Sequence, residues 1–278
     1  MRELNLYPLW KLREGNGGAI GPAERSVSLR TETASAPLGH PAASPLRGLR
    51  GEVAPDEEIR HALSPLPSPL PQAGEGDKGS LREYHDNKSR EQLIGELGWP
   101  ELKAMVRDCT ACRLRAGCTQ TVFGVGDEKA SWLFVGEGPG ADEDARGEPF
   151  VGQAGRLLDN MLMAIKLKRG KDVYIGNVVK CMPPDDRTPK ADEIATCLPY
   201  LQRQIELIRP KVIVALGKTA ANTLLGMDAT LASLRGKVHD YRGIPLIVTY
   251  HPAYLLRMPE DKARAWEDLC LAAKTMEG

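Results

Sequence analysis

Between Glu91 and Asp108 the apolar residues Leu93, Ile94, Leu97, Leu102, Met105 and Val106 recur at a helical spacing, interrupted at Pro100. Further along, short apolar runs take over: Trp132–Val135, Val173–Ile175, Val212–Leu216 and Leu246–Val248. These runs predict strands. Between and after them, the stretches Gly155–Lys166, Lys190–Ile208, Lys218–Leu225 and Glu260–Met276 predict helices. Strands alternating with helices imply a three-layer α/β/α fold around a central, mostly parallel four-stranded sheet. In such sheets ligands bind in a crevice outside the carboxyl ends of the strands. Three segments follow predicted strand ends, Gly136–Gly140, Gly176–Asn177 and Thr249–Pro252, and should meet in that crevice.

Residues 1–88 show neither period. Segments such as Ala42–Leu46 and Ser64–Pro71 are rich in Pro, Ser and Ala, which predicts a disordered extension unable to bury enough apolar surface to offset chain entropy. The stretch Pro67–Gly76 also resembles translated repetitive DNA at an over-extended bacterial gene start, so the working domain is expected over 89–278, beginning near Ser89.

Composition narrows the function classes. The 278 residues carry a net charge of zero, so no global field draws the chain to polyanions, and a nucleic-acid partner needs a local basic face. The same neutrality favours a monomer. No run of about eighteen apolar residues predicts a membrane span, and the start lacks the charged, then apolar, order of a secretion signal. Six cysteines are too few for a disulfide scaffold at this length, and their paired spacing suits a reducing cytoplasm and a metal site.

Four of the cysteines form two pairs, Cys109-x2-Cys112 and Cys181-x15-Cys197, on either side of the glycine-rich turn. A Cys-x2-Cys turn lets two thiolates converge, and a second pair can complete a four-thiolate centre. Zinc and an iron–sulfur cluster both fit that donor set. Cys118 stands outside the pairs as a packing thiol that could compete as a ligand. Cys270, between Leu269 and Leu271, reads as buried apolar filler.

The turn Gly136–Ala141 formally fits a dinucleotide-binding fingerprint. Pro139 removes an N–H that a pyrophosphate would use, and Asp142, Glu143 and Asp144 would repel phosphate. Glycines at a strand-to-loop corner and Phe150 as a core anchor are the plain structural alternatives.

Together, Val135–Gly140, Gly147–Gly155, Tyr174–Cys181 and Thr249–Arg257, with the cysteine spacing, resemble the iron–sulfur branch of the uracil-DNA glycosylases, family four. The resemblance runs from about Leu102 to Lys274. It implies a DNA-repair hydrolase of base excision repair that flips uracil out of single- or double-stranded DNA, cleaves its glycosidic bond and leaves an abasic site.

The resemblance also implies roles. Phe150 would stack on the flipped base, and the Asn177 carboxamide would read the O4 and N3–H edge, which cytosine lacks. Gly138 would lie along the substrate. His251 would hydrogen-bond O2 of the departing anion. Glu137, with Glu143 second, would position the water, and Glu143 would help shape the pocket near the base. Leu255 or Leu256 would wedge into the gap left by the base, or else these leucines begin the core of the last helix, while Arg257 would hold a phosphate. Cys109, Cys112, Cys181 and Cys197 would hold a [4Fe–4S] cluster in place of the alternative zinc, and the cluster could orient Lys180 or Arg187 toward phosphates.

Met182 and Asp186 depart from the family, which often has a basic residue and an amide there, so DNA affinity and strand preference are affected. No basic insertion follows Asn177 before Pro189, and His239 lies elsewhere, so turnover is expected rather than a covalent adduct. A non-catalytic Fe–S or zinc DNA-binding module on the same fold is the alternative class.

Overall fold

The computed structural model describes residues 88–277; apart from Lys88, the expected disordered extension lies outside them. The described part opens on Ser89, whose hydroxyl accepts from Gln92 N–H at 3.3 Å while Gln92 Oε1 accepts from Ser89 N–H at 2.8 Å. This reciprocal cap starts α1 (Arg90–Glu96). The single interrupted helix of the sequence reading is two helices. Leu97 and Gly98 are extended, and Pro100 sits in the first turn of α2 (Trp99–Arg107), where its missing N–H costs nothing.

In chain order there follow α3 (Leu114–Gly117), β1 (Val125–Gly126), β2 (Trp132–Gly136), α4 (Ala141–Arg146), α5 (Gln153–Ala164), β3 (Val173–Asn177), α6 (Ala191–Ile208) and β4 (Val212–Leu216). The chain ends with α7 (Lys218–Leu225), α8 (Leu231–Leu234), β5 (Val238–Tyr241), β6 (Ile244–Thr249), α9 (Pro252–Arg257) and α10 (Lys262–Glu277).

The sheet has six strands in the order β1-β3-β2-β4-β6-β5, which corrects the expected four. The four anticipated strands form its parallel centre, and β1 and β5 are antiparallel edges. The edges escaped notice for a physical reason. β1 has only two residues, and β5 reads Val-His-Asp-Tyr, mostly exposed and without an apolar run.

Side chains alternate faces along each strand, and each face is covered. Leu133, Val135, Ile213, Ala215 and Val248 pack with Leu102 and Val106 of α2 and Leu201 and Ile205 of α6. Phe134, Ile175, Val214 and Ile247 pack on the other side with Leu158 and Met161 of α5 and Leu269 of α10. The three-layer α/β/α class therefore holds. The carboxyl ends of β2, β3, β4 and β6 share one edge, where the loops carrying the candidate chemistry emerge. Among the described residues no helix is long and apolar enough to cross a membrane.

Candidate active site and thiol centre

The parallel pairing of β2 and β3 sets Gly136 directly opposite Asn177. The ladder then continues past the strands, with Val178 N–H on Gly136 O at 3.0 Å and Val179 N–H on Glu137 O at 3.1 Å. These bonds zip the glycine loop to the segment after Asn177. A Cβ on Gly136 would stand 2.5 Å from Asn177 Oδ1 and 2.6 Å from Phe150 Cζ, so only a glycine lets ring and carboxamide both come this close to the strand end. Asn177 is only 2% exposed, yet its Oδ1 has no hydrogen-bond partner. Burying an acceptor without a partner is costly, so the atom is poised for a donor from outside the chain.

Phe150 adopts a left-handed backbone (φ 55°), uncommon for a bulky residue. Three groups hold it there. Glu143 accepts from Val151 N–H at 2.9 Å and Gly152 N–H at 3.2 Å through one oxygen, and from Gly140 N–H at 3.1 Å through the other. Arg169 donates to the carbonyls of Pro149 (2.9 Å) and Phe150 (2.8 Å) and pairs with Asp159. Gly155 lets α5 approach, because a Cβ there would collide with the Phe150 carbonyl.

His251 closes the pocket, its ring centroid 5.5 Å from that of Phe150. It caps α9, with Nδ1 accepting from Ala253 N–H at 3.2 Å, which assigns the proton of the neutral ring to Nε2. Burial pushes its pKa down to about 4, helped by the Arg257 guanidinium and opposed by the Glu143 carboxylate. At neutral pH His251 is thus an uncharged donor through Nε2. Gly217, at φ 95° after β4, lets His251 come close, its missing Cβ being 3.2 Å from that of the histidine.

The four paired cysteines meet as well. Cys109 and Cys112 follow α2, Cys181 follows β3, Cys197 lies on α6, and all four line one small cavity with Arg90, Arg115 and Tyr200 on its wall. Among the described residues no three His, Cys, Asp or Glu side chains converge as a single metal ion requires. The thiols stand around a space rather than about a point. Lys180 N–H points at Cys197 Sγ at 3.3 Å. Burial pushes the Cys197 thiol up to about 11 against the pull of Lys180, and raises Cys181 too, so any metal bound here displaces protons.

Residues 123–270 match the model of the uracil DNA glycosylase superfamily. The type-4 uracil-DNA glycosylase of Archaeoglobus fulgidus is 46% identical over 163 residues, covering 56% of this chain and 81% of the relative. That of Thermotoga maritima is 46% identical over 161 residues (57% and 83%), and that of Pyrobaculum aerophilum 40% over 179 residues (62% and 91%). The chain belongs to the type-4 uracil-DNA glycosylases.

In this type-4 glycosylase the strand-end crevice brings Phe150, Asn177 and His251 together, with Glu137 half-buried and Gly138 on the adjoining loop. Gly138 packs tightly, since a Cβ would stand 2.8 Å from Val179 Cγ2. Glu143 spends both oxygens on three N–H groups of the turn beside Phe150, as a residue that shapes the pocket would. The same bonds occupy amides that a dinucleotide phosphate would need.

Leu255 is 0% exposed inside the core, because Pro252 starts a helix rather than a loop, and a side chain so buried cannot wedge into DNA. Arg257, at the end of that helix, is exposed and free to face a phosphate. Lys180 points into the protein, so it is not turned toward a phosphate, and Arg187, partly exposed, is paired with both oxygens of Glu193 (2.8 and 2.7 Å). Cys118 is buried, with its thiol beside that of Cys181 and bonded to Arg115, and Cys270 is only half-buried. His239 lies on the edge strand with Nε2 2.7 Å from Leu234 O. Sequence reasoning missed Arg169 and Gly217. The left-handed φ each supports or adopts carries no sequence signal beyond the glycine itself.

Proposed function

We propose that the protein hydrolyses the N-glycosidic bond between uracil and deoxyribose in single- or double-stranded DNA, releasing uracil and leaving an abasic site for base excision repair. The observation that carries this reading is the buried, unpartnered Oδ1 of Asn177, set across Gly136 from the Phe150 ring. A flipped uracil would set its ring against Phe150, its N3–H on Asn177 Oδ1 and its O4 on the Asn177 amide. Cytosine, with an acceptor at N3 and an amino group at C4, would oppose like groups at both positions.

Cleavage breaks the C1′–N1 bond and places negative charge on uracil, chiefly at O2 and O4. Neutral His251 donates through Nε2 to O2, where that charge develops, an interaction stronger in the transition state than in the ground state. Glu137, the half-buried carboxylate of the glycine loop, positions the water that adds to C1′. Arg257 holds a backbone phosphate of the flipped nucleotide.

The cysteine set suits a [4Fe–4S] cluster held by Cys109, Cys112, Cys181 and Cys197. Four soft thiolates spaced around a cavity match a core bridged by its own sulfides better than a zinc tetrahedron, and Arg90, Arg115 and Lys180 offset the negative charge. When bound, the cluster supplies a structural brace for the segment after β3. Iron and sulfide at four per chain, with visible absorbance, would support it; zinc at one per chain would replace it.

The reading is tested with uracil-containing single- and double-stranded oligonucleotides followed by alkali. Strand scission with multiple turnover is expected, and loss on the order of a hundredfold in Asn177→Ala and His251→Ala. No scission at any enzyme concentration rejects the assignment and leaves a DNA-binding module.

A further inference from the structure

Lys180 is 1% exposed and sits at a junction of four segments. Its Nζ donates to the carbonyl of Asn177 at 2.9 Å and to Gln204 Oε1 at 2.7 Å. Gln204 passes the contact on through Nε2, to Tyr174 Oη at 3.3 Å and to the carbonyl of Phe123 at 3.0 Å. The Lys180 main chain is engaged on both sides as well: its N–H meets Cys197 Sγ at 3.3 Å, and its carbonyl accepts from Val122 N–H at 2.7 Å. The next residue is Cys181. A buried lysine is costly to retain without a task that an apolar residue cannot perform. Here one of its bonds reaches the Cys197 thiol and another the carbonyl of Asn177 at the end of β3, while Gln204 ties its ammonium to α6, the helix that carries Cys197.

We infer that Lys180 is a positioning residue that couples the cysteine centre to base recognition, by locking the Asn177 carbonyl and so aiming the Asn177 carboxamide into the pocket. The inference rests on the glycosylase reading above. Lys180 touches neither base nor reacting atoms. Its influence runs through the backbone of Asn177 on one side and through α6, which carries both Gln204 and Cys197, on the other. A disturbance at the centre would thereby reach the base-reading group four residues before Cys181.

The test is a double-mutant cycle in the iron-loaded full-length protein, with chelator bleaching of the visible chromophore as a second readout. For Lys180→Met we expect single-turnover uracil excision to fall about tenfold or more, affinity for uracil-containing DNA to stay within about twofold, and bleaching to become several-fold faster. In an Asn177→Ala background the same substitution should cost nothing further, because non-additivity is the signature of acting through one partner. Lys180→Arg should recover part of the rate. Wild-type excision and bleaching in Lys180→Met, or an undiminished loss in the Asn177→Ala background, would overturn the coupling. If Lys180→Met fails to fold, Gln204→Leu removes one of its two acceptors, and a wild-type rate and bleaching in that variant would overturn it equally. A wild-type protein without excision activity sinks the functional reading instead, and the bleaching comparison then decides the coupling alone.

Discussion

Gly136 and Asn177 face each other across the β2–β3 ladder, and the space a Gly136 side chain would occupy lies 2.5 Å from Asn177 Oδ1. The close approach of Asn177 and Phe150 to this strand end requires that position to have no Cβ. Gly136→Ala would push a methyl group between Phe150 and Asn177, in the place assigned to the uracil edge. We expect excision to fall by about two orders of magnitude or more, with a stability cost of about 1–3 kcal/mol from overpacking. Single-turnover rates and thermal melting separate the two effects; a variant that is destabilised yet fully active would show that the base binds elsewhere.

Glu137 and Glu143 are separated by what their oxygens already hold. Glu143 carries three backbone N–H groups that fix Gly140 and the turn after Phe150, so Glu143→Gln replaces one acceptor with a donor facing a donor. That change should lower the melting temperature by several degrees and weaken uracil binding as well as rate. Glu137→Gln should leave melting unchanged and lower kcat alone, by roughly ten- to a hundredfold. Equal melting of both variants would remove the distinction.

Arg169 holds the two carbonyls that bracket the left-handed Phe150. Without it, the backbone can relax by an estimated 1–3 kcal/mol toward an ordinary conformation, and the ring leaves the wall of the pocket. Arg169→Met should weaken inhibition by free uracil about tenfold while affinity for uracil-free DNA stays as it is. Unchanged uracil inhibition would mean that the turn is held by Glu143 and Gly155 alone.

What could be read in the sequence follows from how each signal is encoded. The four central strands are continuous apolar runs because both faces are covered, and the strand-end placement of Asn177 and His251 follows from the alternation of elements. Edge strands β1 and β5 carry no run to detect. Arg169 acts on main-chain carbonyls about twenty residues earlier, through bonds that no spacing announces. Leu255 stays open between wedge and core in the sequence because the His-Pro pair also reads as a turn, whereas here His251 caps a helix and Pro252 opens it, which rotates Leu255 into the core. Glu143 was legible as a pocket residue, but the amides it holds were not, since carboxylates that bind water and carboxylates that bind amides look alike in one dimension.

The reciprocal cap between Ser89 and Gln92 gives α1 its own start. Lys88 adds an ion pair, 2.7 Å long, to Glu96 at the far end of the same helix. Deleting residues 1–85 should leave the melting temperature within about two degrees and excision within about twofold. A loss beyond tenfold would assign the preceding segment a part in DNA binding or folding.

The depressed pKa of His251 makes a signed prediction for stability. In the unfolded chain a histidine titrates near 6.5, and here burial brings it to about 4. Between those values the unfolded state binds the extra proton, so stability contributed by the neutral ring is complete above about pH 6.5 and declines as pH falls toward 4, by an amount on the order of 3 kcal/mol. Carboxylates titrate in the same range, so the measurement is the difference between wild type and His251→Gln, whose amide does not titrate. The wild type should lose more stability than the variant between pH 6.5 and 4, and the two curves should run parallel above pH 7. Excision by the wild type should likewise show no inflection near pH 6.5, because the donor stays neutral through it. Parallel curves from pH 4 to 8, or an activity step near 6.5, would mean that His251 titrates as an exposed ring and that the departing uracil meets a charged rather than a neutral donor.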